Sequence, residues 1–268
     1  MQYPSNLRVI RLPCSGKVDL TYLFRAFEVG ADGVIVLGCL EGGCHFIEGN
    51  IHAKKRVNLG KEILDAIGVG GDRMEFYNLS AAMAPRFIEI IREMNDKIIK
   101  LGPFPKKVSL TEKTAEMTKR EFLYLMAKNL ALKKPEKPIA VPEGLEEWGR
   151  IEYDVAKCIG CKKCEENCPE KAITFVNEFD LATILKNLPE KNDSKVTKRR
   201  LMYETLANLA VKKPSKVLSA PEGMGEFWKM QYLPERCVIC EKCNKDCPEK
   251  AISVIKEVDL PKIFGDKR

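Results

Sequence analysis

One pattern constrains this 268-residue chain more than any other. Residues Thr118–Val176 align with Thr197–Ile255 at a constant offset of 79 with no gap, and 26 of the 59 positions are identical. Ungapped likeness of that length marks a duplication. TKR at Thr118 recurs at Thr197, PEG at Pro142 recurs at Pro221, and CPEKAI at Cys168 recurs at Cys247. Asp180-Leu181 is matched more weakly by Asp259-Leu260. The period exceeds that of a solenoid repeat, and two copies suggest a pair related by a pseudo-twofold axis. Each copy carries four cysteines in eleven residues. They are Cys158-x2-Cys161-x2-Cys164-x3-Cys168-Pro169 and Cys237-x2-Cys240-x2-Cys243-x3-Cys247-Pro248.

This spacing is the ligand run of a bacterial ferredoxin. Two residues between cysteines let three thiolates point inward around one iron–sulfur cube. Three more residues and a proline turn the fourth thiolate away, toward the other cube. The expected ligand sets are therefore Cys158, Cys161, Cys164 and Cys247 for one [4Fe-4S] cluster, and Cys237, Cys240, Cys243 and Cys168 for the second. Zinc is the competing reading, but zinc sites pair two C-x2-C knuckles across a dozen or more residues. Cys168 and Cys237 lie 69 residues apart, a longer connection than a small ferredoxin uses. The second copy's helix and connector fill that interval and are expected to pack outside a compact two-cluster core.

Each copy opens with a helical signal. Thr118 with Glu121 forms a capping box, and Leu123, Met126, Ala127 and Leu130 follow helical spacing. Met202, Leu206 and Leu209 keep that stripe in the second copy. KKP at Lys133 and Lys212 ends each helix, because proline cannot continue it.

The first hundred residues read differently. Arg8–Cys14, Gly33–Cys39 and Arg73–Ser80 are short β-rich runs. Between and after them lie helical patterns at Asp19–Val29, roughly Asn50–Ile67 and Ala84–Leu101, the last stopped by Gly102-Pro103. Strands alternating with helices imply a three-layer α/β domain with a parallel sheet. Cys14 and Cys39 end two of the expected strands, on the rim where such sheets bind ligands. With Cys44, in the glycine-rich segment Gly38–His45, they read either as a metal cluster or as small buried hydrophobes. His45 is a candidate fourth ligand, as imidazole is in some [2Fe-2S] sites. His52 reads as a surface residue.

Composition limits the partners. Charged residues make up 31% and apolar residues 45% of the chain, enough for real cores. No apolar run approaches the ~18 residues that span a membrane, and the N-terminus lacks a signal-peptide pattern. A cytoplasmic protein is the expectation. Eleven cysteines without a secretory signal do not read as a disulfide scaffold. The formal net charge of +7 is spread along the chain, and two clusters at about −2 each would offset much of it. Lys157, Lys162, Lys163, Arg236 and Lys242 flank ligands; they read as solvated surface or as groups that tune potential. No basic–aromatic stripe points to nucleic acid. No nucleophile–base pair, acid/base carboxylate pair or phosphate loop is evident, so no independent catalysis is expected.

MQYPSNLRVIRLPCSGKVD, GADGVIVLGCLEGGCHFIEGN and the helix after them resemble the delta (iron–sulfur) subunit of methyl-viologen-reducing hydrogenase over roughly residues 1–102. PCSGK followed at this distance by GC-x4-CH carries the likeness. The resemblance implies a [2Fe-2S] cluster, with Cys14, Cys39 and Cys44 at the matching positions. Family members usually carry a further cysteine-rich segment ahead of the position of Met1; here either the fourth ligand comes from His45 or another subunit, or the gene start is truncated, or the cluster is absent. It also implies electron transfer between a hydrogenase or formate dehydrogenase and a heterodisulfide-reductase-like FAD subunit that bifurcates electrons.

The expected organisation is an α/β domain at 1–102, a linker at 103–117, and a duplicated α+β ferredoxin-like dicluster domain with helical insertions at 118–268. Rival settings are an equivalent subunit of a benzoyl-CoA reductase or methylenetetrahydrofolate reductase complex, or a free polyferredoxin carrier.

Overall fold

The structure, a computed structural model, describes residues 3–115, 117–155, 157–158, 160–176, 178–179, 205–206, 208–209, 218–219, 229–234 and 236–265. Packing divides the chain into two units, 1–149 with 256–268, and 150–255. The first copy's opening helix, Lys119–Leu130, falls in the first unit.

The first unit starts its order at α1 (Leu20–Glu28), which buries Leu20, Leu23, Phe24 and Phe27 on one face. Asp19 caps it by accepting hydrogen bonds from the Thr21 amide (3.0 Å) and hydroxyl (2.7 Å). Burial pushes the Asp19 carboxyl up, but those bonds and the Lys119 ammonium, 3.2 Å away, outweigh it and hold the carboxyl below its ordinary value. A carboxyl depressed by folding adds stability above its unfolded value, about 3.9. That contribution disappears as pH falls through the folded value. Asp19→Ala is therefore expected to cost about 1 kcal/mol at neutral pH. Denaturant titrations should show the gap to wild type closing below about pH 4; a gap constant with pH would contradict the assignment.

Strand β1 (Val34–Gly38) pairs in parallel with β2 (Met74–Asn78), in a register from Val34↔Met74 to Gly38↔Asn78. The crossover between them is α2 (Gly49–Ala66), which turns Ala53, Val57, Ile63 and Leu64 inward. Gly60 lets α2 approach closely, since a Cβ there would lie 2.9 Å from Met74 Sδ. Helix α3 (Ala84–Leu101) ends at Gly102, whose φ of 75° is the left-handed stop expected of Gly-Pro. The sheet is smaller than expected. Among the described residues it holds these two strands, and Arg8–Cys14 is not a strand. Val9 and Ile10 in that run are exposed; β-branched residues favour a strand only where a neighbouring edge pairs with them.

Helix α4 (Lys119–Leu130) has the full capping box: the Glu121 amide donates to Thr118 Oγ1, and the Thr118 amide donates to Glu121 Oε2. Leu123, Met126, Ala127 and Leu130 are buried in one core with α1, α2 and Trp148. In this unit β3 (Ile139–Ala140) pairs antiparallel with β10 (Glu257–Val258), followed by α7 (Leu260–Gly265).

The second unit holds β4 (Arg150–Tyr153), α5 (Lys163–Glu166), β5 (Ile173–Val176), β6 (Glu178–Phe179), β7 (Leu218–Ser219), β8 (Lys229–Tyr232), α6 (Lys242–Asp246) and β9 (Ile252–Ile255). Strands pair across the duplication. Arg150 faces Ile255 in β4·β9, and Lys229 faces Val176 in β5·β8, the same pairing shifted by 79. The β3·β10 register repeats in β6·β7 by the same shift. A duplicated chain that exchanges strands this way has the expected pseudo-twofold relation. Leu206 and Leu209 are helical and exposed. Thr197, Met202, Lys212 and Pro221, which define the second copy's helix and connector in the sequence, lie outside the described residues.

Candidate metal centres

The two cysteine loops follow one backbone path. Positive φ occurs at Gly160 (67°) and Ile239 (53°), at Lys162 (59°) and Glu241 (64°), and at Lys171 (48°) and Lys250 (50°). Each pair is one position seen in both copies. Left-handed residues among right-handed ones turn successive amides to one side, forming a concavity that suits anions. Amides do reach sulfur. The Gly160 amide donates to Cys158 Sγ at 3.4 Å, Ala172 to Cys168 Sγ at 3.2 Å, and Ala251 to Cys247 Sγ at 3.2 Å.

Each loop lines a partly open cavity. One is lined by Cys158, Cys161, Cys164 and Cys247. The other is lined by Cys168, Cys237, Cys240 and Cys243. Each cavity takes three thiols from one copy and one from the other. The one-turn helices α5 and α6 set this division. Cys164 and Cys168 flank a single turn, about 6 Å of helix, yet face different cavities.

Burial pushes the Cys164 thiol up to about 12, reinforced by Cys158 and Cys161. Burial, with Cys237 and Cys240, pushes Cys243 to about 11. Thiolates crowded in this way repel one another and are stable together only around compensating positive charge, which ferric and ferrous iron supply. Among the described residues, no three His, Cys, Asp or Glu side chains are gathered tightly enough for a single metal ion. A lone zinc needs thiolates converging at about 2.3 Å; the cavities instead space four thiols around a larger body. An iron–sulfur cube fits both.

The N-terminal cysteines are arranged less completely. Cys14 caps the turn Ser15–Lys17, its Sγ accepting from the Gly16 amide at 3.3 Å. Amides at the start of α2 hold Cys44 below the ordinary thiol value, Asn50 most strongly, with Phe46, Gly49 and the Cys14 thiol adding to it. The two sulfurs meet over Gly49, where a Cβ would stand 2.7 Å from Cys14 Sγ and 3.6 Å from Cys44 Sγ. Cys39 is exposed; its carbonyl accepts from Asn50 Nδ2 (3.0 Å) and Asn78 Nδ2 (2.5 Å). His45 is exposed, with its ring edge-on to Phe46. His52 faces Glu48 at 3.6 Å. Cys14 and Cys44 are thus a pair, and Cys39 and His45 are exposed.

Sequence reasoning missed Gly49 and Asn50, which shape the Cys14–Cys44 pair. It also passed over the exchange of charge between Lys162 and Glu241, which a position-by-position comparison of the copies exposes.

Comparison with known proteins agrees with both halves. Residues 157–251 match the family described as 4Fe-4S dicluster domain. Residues 1–102 match the family described as Methyl-viologen-reducing hydrogenase, delta subunit. The iron–sulfur subunit of the vhu F420-non-reducing hydrogenase of Methanocaldococcus jannaschii is 48% identical over 107 residues, which is 40% of this chain and 80% of that protein. Its counterpart in Methanococcus maripaludis is 50% identical over the same shares. One subunit of the Ferredoxin/F(420)H(2)-dependent CoB-CoM heterodisulfide reductase of Methanosarcina acetivorans is 41% identical over 103 residues, 38% of this chain and 13% of that protein. The chain belongs to the family of the methyl-viologen-reducing hydrogenase delta subunit and carries a 4Fe-4S dicluster domain in its second half.

Proposed function

We propose that this chain is an electron-transfer iron–sulfur subunit joining a hydrogenase or formate dehydrogenase module to a heterodisulfide-reductase-like FAD subunit of a cytoplasmic, electron-bifurcating complex of an anaerobe. One observation carries the reading: each of two cavities is lined by four thiols drawn from both copies. Cys158, Cys161, Cys164 and Cys247 would hold one [4Fe-4S] cluster, and Cys237, Cys240, Cys243 and Cys168 the other. Such clusters, when bound, pass single electrons without making a bond to a substrate. The protein's part is to hold them close, to exclude water from Cys164 and Cys243, and to set potentials through amide–sulfur bonds and nearby charge. Residues 1–102, 103–117 and 118–268 are the corresponding modules: docking domain, linker and dicluster domain.

The hydrogenase and heterodisulfide reductase relatives support that setting over the other anaerobic complexes. Exposed apolar side chains flanking the N-terminal cysteines, Ile10 at 83% and Ile47 at 81%, support a docked subunit over a free carrier. No described helix is long and apolar enough to cross a membrane. No step is routed through a [2Fe-2S] cluster at Cys14, Cys39 and Cys44.

Anaerobically purified full-length protein should contain about eight irons and about eight acid-labile sulfides and give the EPR signals of two reduced cubes. Zinc-loaded or colourless protein overturns the reading. About ten irons would restore the N-terminal cluster.

A further inference from the structure

The duplication provides an internal control, because most residues lining one cavity have a counterpart 79 positions away lining the other. Some counterparts match in charge and others do not: exposed Glu166 of the first loop is replaced by exposed Lys245, a reversal opposite in sense to that of Lys162 and Glu241 but screened by water. Glu249 lines the first cavity where Glu170 lines the second. Lys157 and Arg236 precede the first cysteines, and Lys163 and Lys242 precede the third. One pair of lining residues is reversed: Lys162 lines the first cavity and Glu241 the second. Both sit at the same left-handed backbone position between the second and third cysteines, with φ of 59° and 64°, so both leave the loop from equivalent points. Both are half-buried. Lys245, 3.9 Å from Glu241, is 71% exposed.

The apolar walls differ as well. Gly160 of the first loop is replaced by Ile239, which is 4% exposed and lines the second cavity. A β-branched residue at φ 53° is held against its own preference. Val254 likewise lines the second cavity where its counterpart at the first is Phe175.

Adding an electron to a four-thiolate cube raises its negative charge by one, from about −2 to about −3. A lysine beside it favours that change; a glutamate opposes it. We infer that the two sites are built unequal: Lys162 makes the Cys158/Cys161/Cys164/Cys247 site the easier to reduce, and Glu241 makes the Cys168/Cys237/Cys240/Cys243 site the harder. A single electron given to the pair leaves the second site oxidised and resides on the first, so the second site is the low-potential end of the module. The inference rests on the proposed cluster ligation and adds a direction to it.

The test is an EPR-monitored redox titration of the full-length chain with dithionite as electron donor. Wild type should reduce in two separated one-electron steps. Lys162→Glu should move only the earlier step to lower potential, and Glu241→Lys only the later step to higher potential. Each reversal should change the reduced-to-oxidised ratio at fixed potential by roughly tenfold or more. Lys162→Gln and Glu241→Gln should give about half the shift on a logarithmic scale, because one charge is removed instead of reversed. In the double reversal the order of the two steps should narrow or invert. Coincident steps in wild type, or a Lys162 substitution that moves the later step, would overturn the assignment. Protein with the wrong iron content would instead overturn the cluster reading itself, and iron analysis on each variant separates the two failures.

Discussion

Replacing Cys247 with alanine is expected to damage the cluster whose other ligands lie 83 to 89 residues earlier, and to spare the cluster bound by its own loop. The cavities pair Cys247 with Cys158, Cys161 and Cys164, and Cys168 with Cys237, Cys240 and Cys243. Pairs of substitutions give the sharpest reading, since groups that serve one site are not additive. Cys158→Ala combined with Cys247→Ala should confine the loss to one site and leave about four of about eight irons, with one intact reduced-cube signal. Cys237→Ala combined with Cys247→Ala should leave neither cluster intact. Cys168→Ala with Cys237→Ala should again spare one. If each loop instead kept its own fourth cysteine, the first two outcomes would be interchanged. Iron and sulfide analysis with EPR decides between them.

The sequence carried the strongest part of this site because the requirement is local. Three thiolates around one cube demand the x2 spacing, so the cofactor class follows from eleven residues. The helices were legible for a similar reason. Asp19, Thr118 with Glu121, and Gly102 are local signals that act within one turn, and they mark the observed ends of α1, α4 and α3. The sheet was less legible. Arg8–Cys14 has the composition of a strand, but a strand exists only where another edge accepts its hydrogen bonds, and no property of residues 8–14 reports that edge. The pairing of two N-terminal cysteines was illegible for the same reason. Cys14 and Cys44 meet because Gly49 leaves room for both sulfurs at the start of α2, a fact of three segments in space. Cys39 follows the end of β1 as expected, but its carbonyl, held by Asn50 and Asn78, is what the fold uses.

Arg73→Met is expected to be among the most damaging single changes in the first unit, although nothing in the sequence singles Arg73 out. The side chain is 5% exposed. Its guanidinium donates to five carbonyls: Val69 (3.3 Å), Asp32 (3.1 Å), Leu101 (3.2 Å), Gly102 (3.0 Å) and Pro103 (3.3 Å). Leu101 and Gly102 end α3, where unpaired carbonyls concentrate negative potential that a cation relieves. The guanidinium also lies over the Phe104 ring at 5.9 Å, and the Phe104 amide donates to Asp32 Oδ1. One residue thus ties the start of β2 to the approach to β1 and to the chain leaving α3. Methionine keeps the stem but strips every donor, leaving one buried and four part-buried carbonyls without this partner. That costs on the order of 3–5 kcal/mol, or roughly 10 °C in midpoint for a unit of this size. Arg73→Lys should recover only part of the loss, because an ammonium has three donors and no planar fork. Thermal and urea unfolding of the two variants measure this directly. A cost below about 1 kcal/mol for Arg73→Met would mean that water takes over these carbonyls, and that the chain between β1, β2 and α3 is held by its apolar contacts alone.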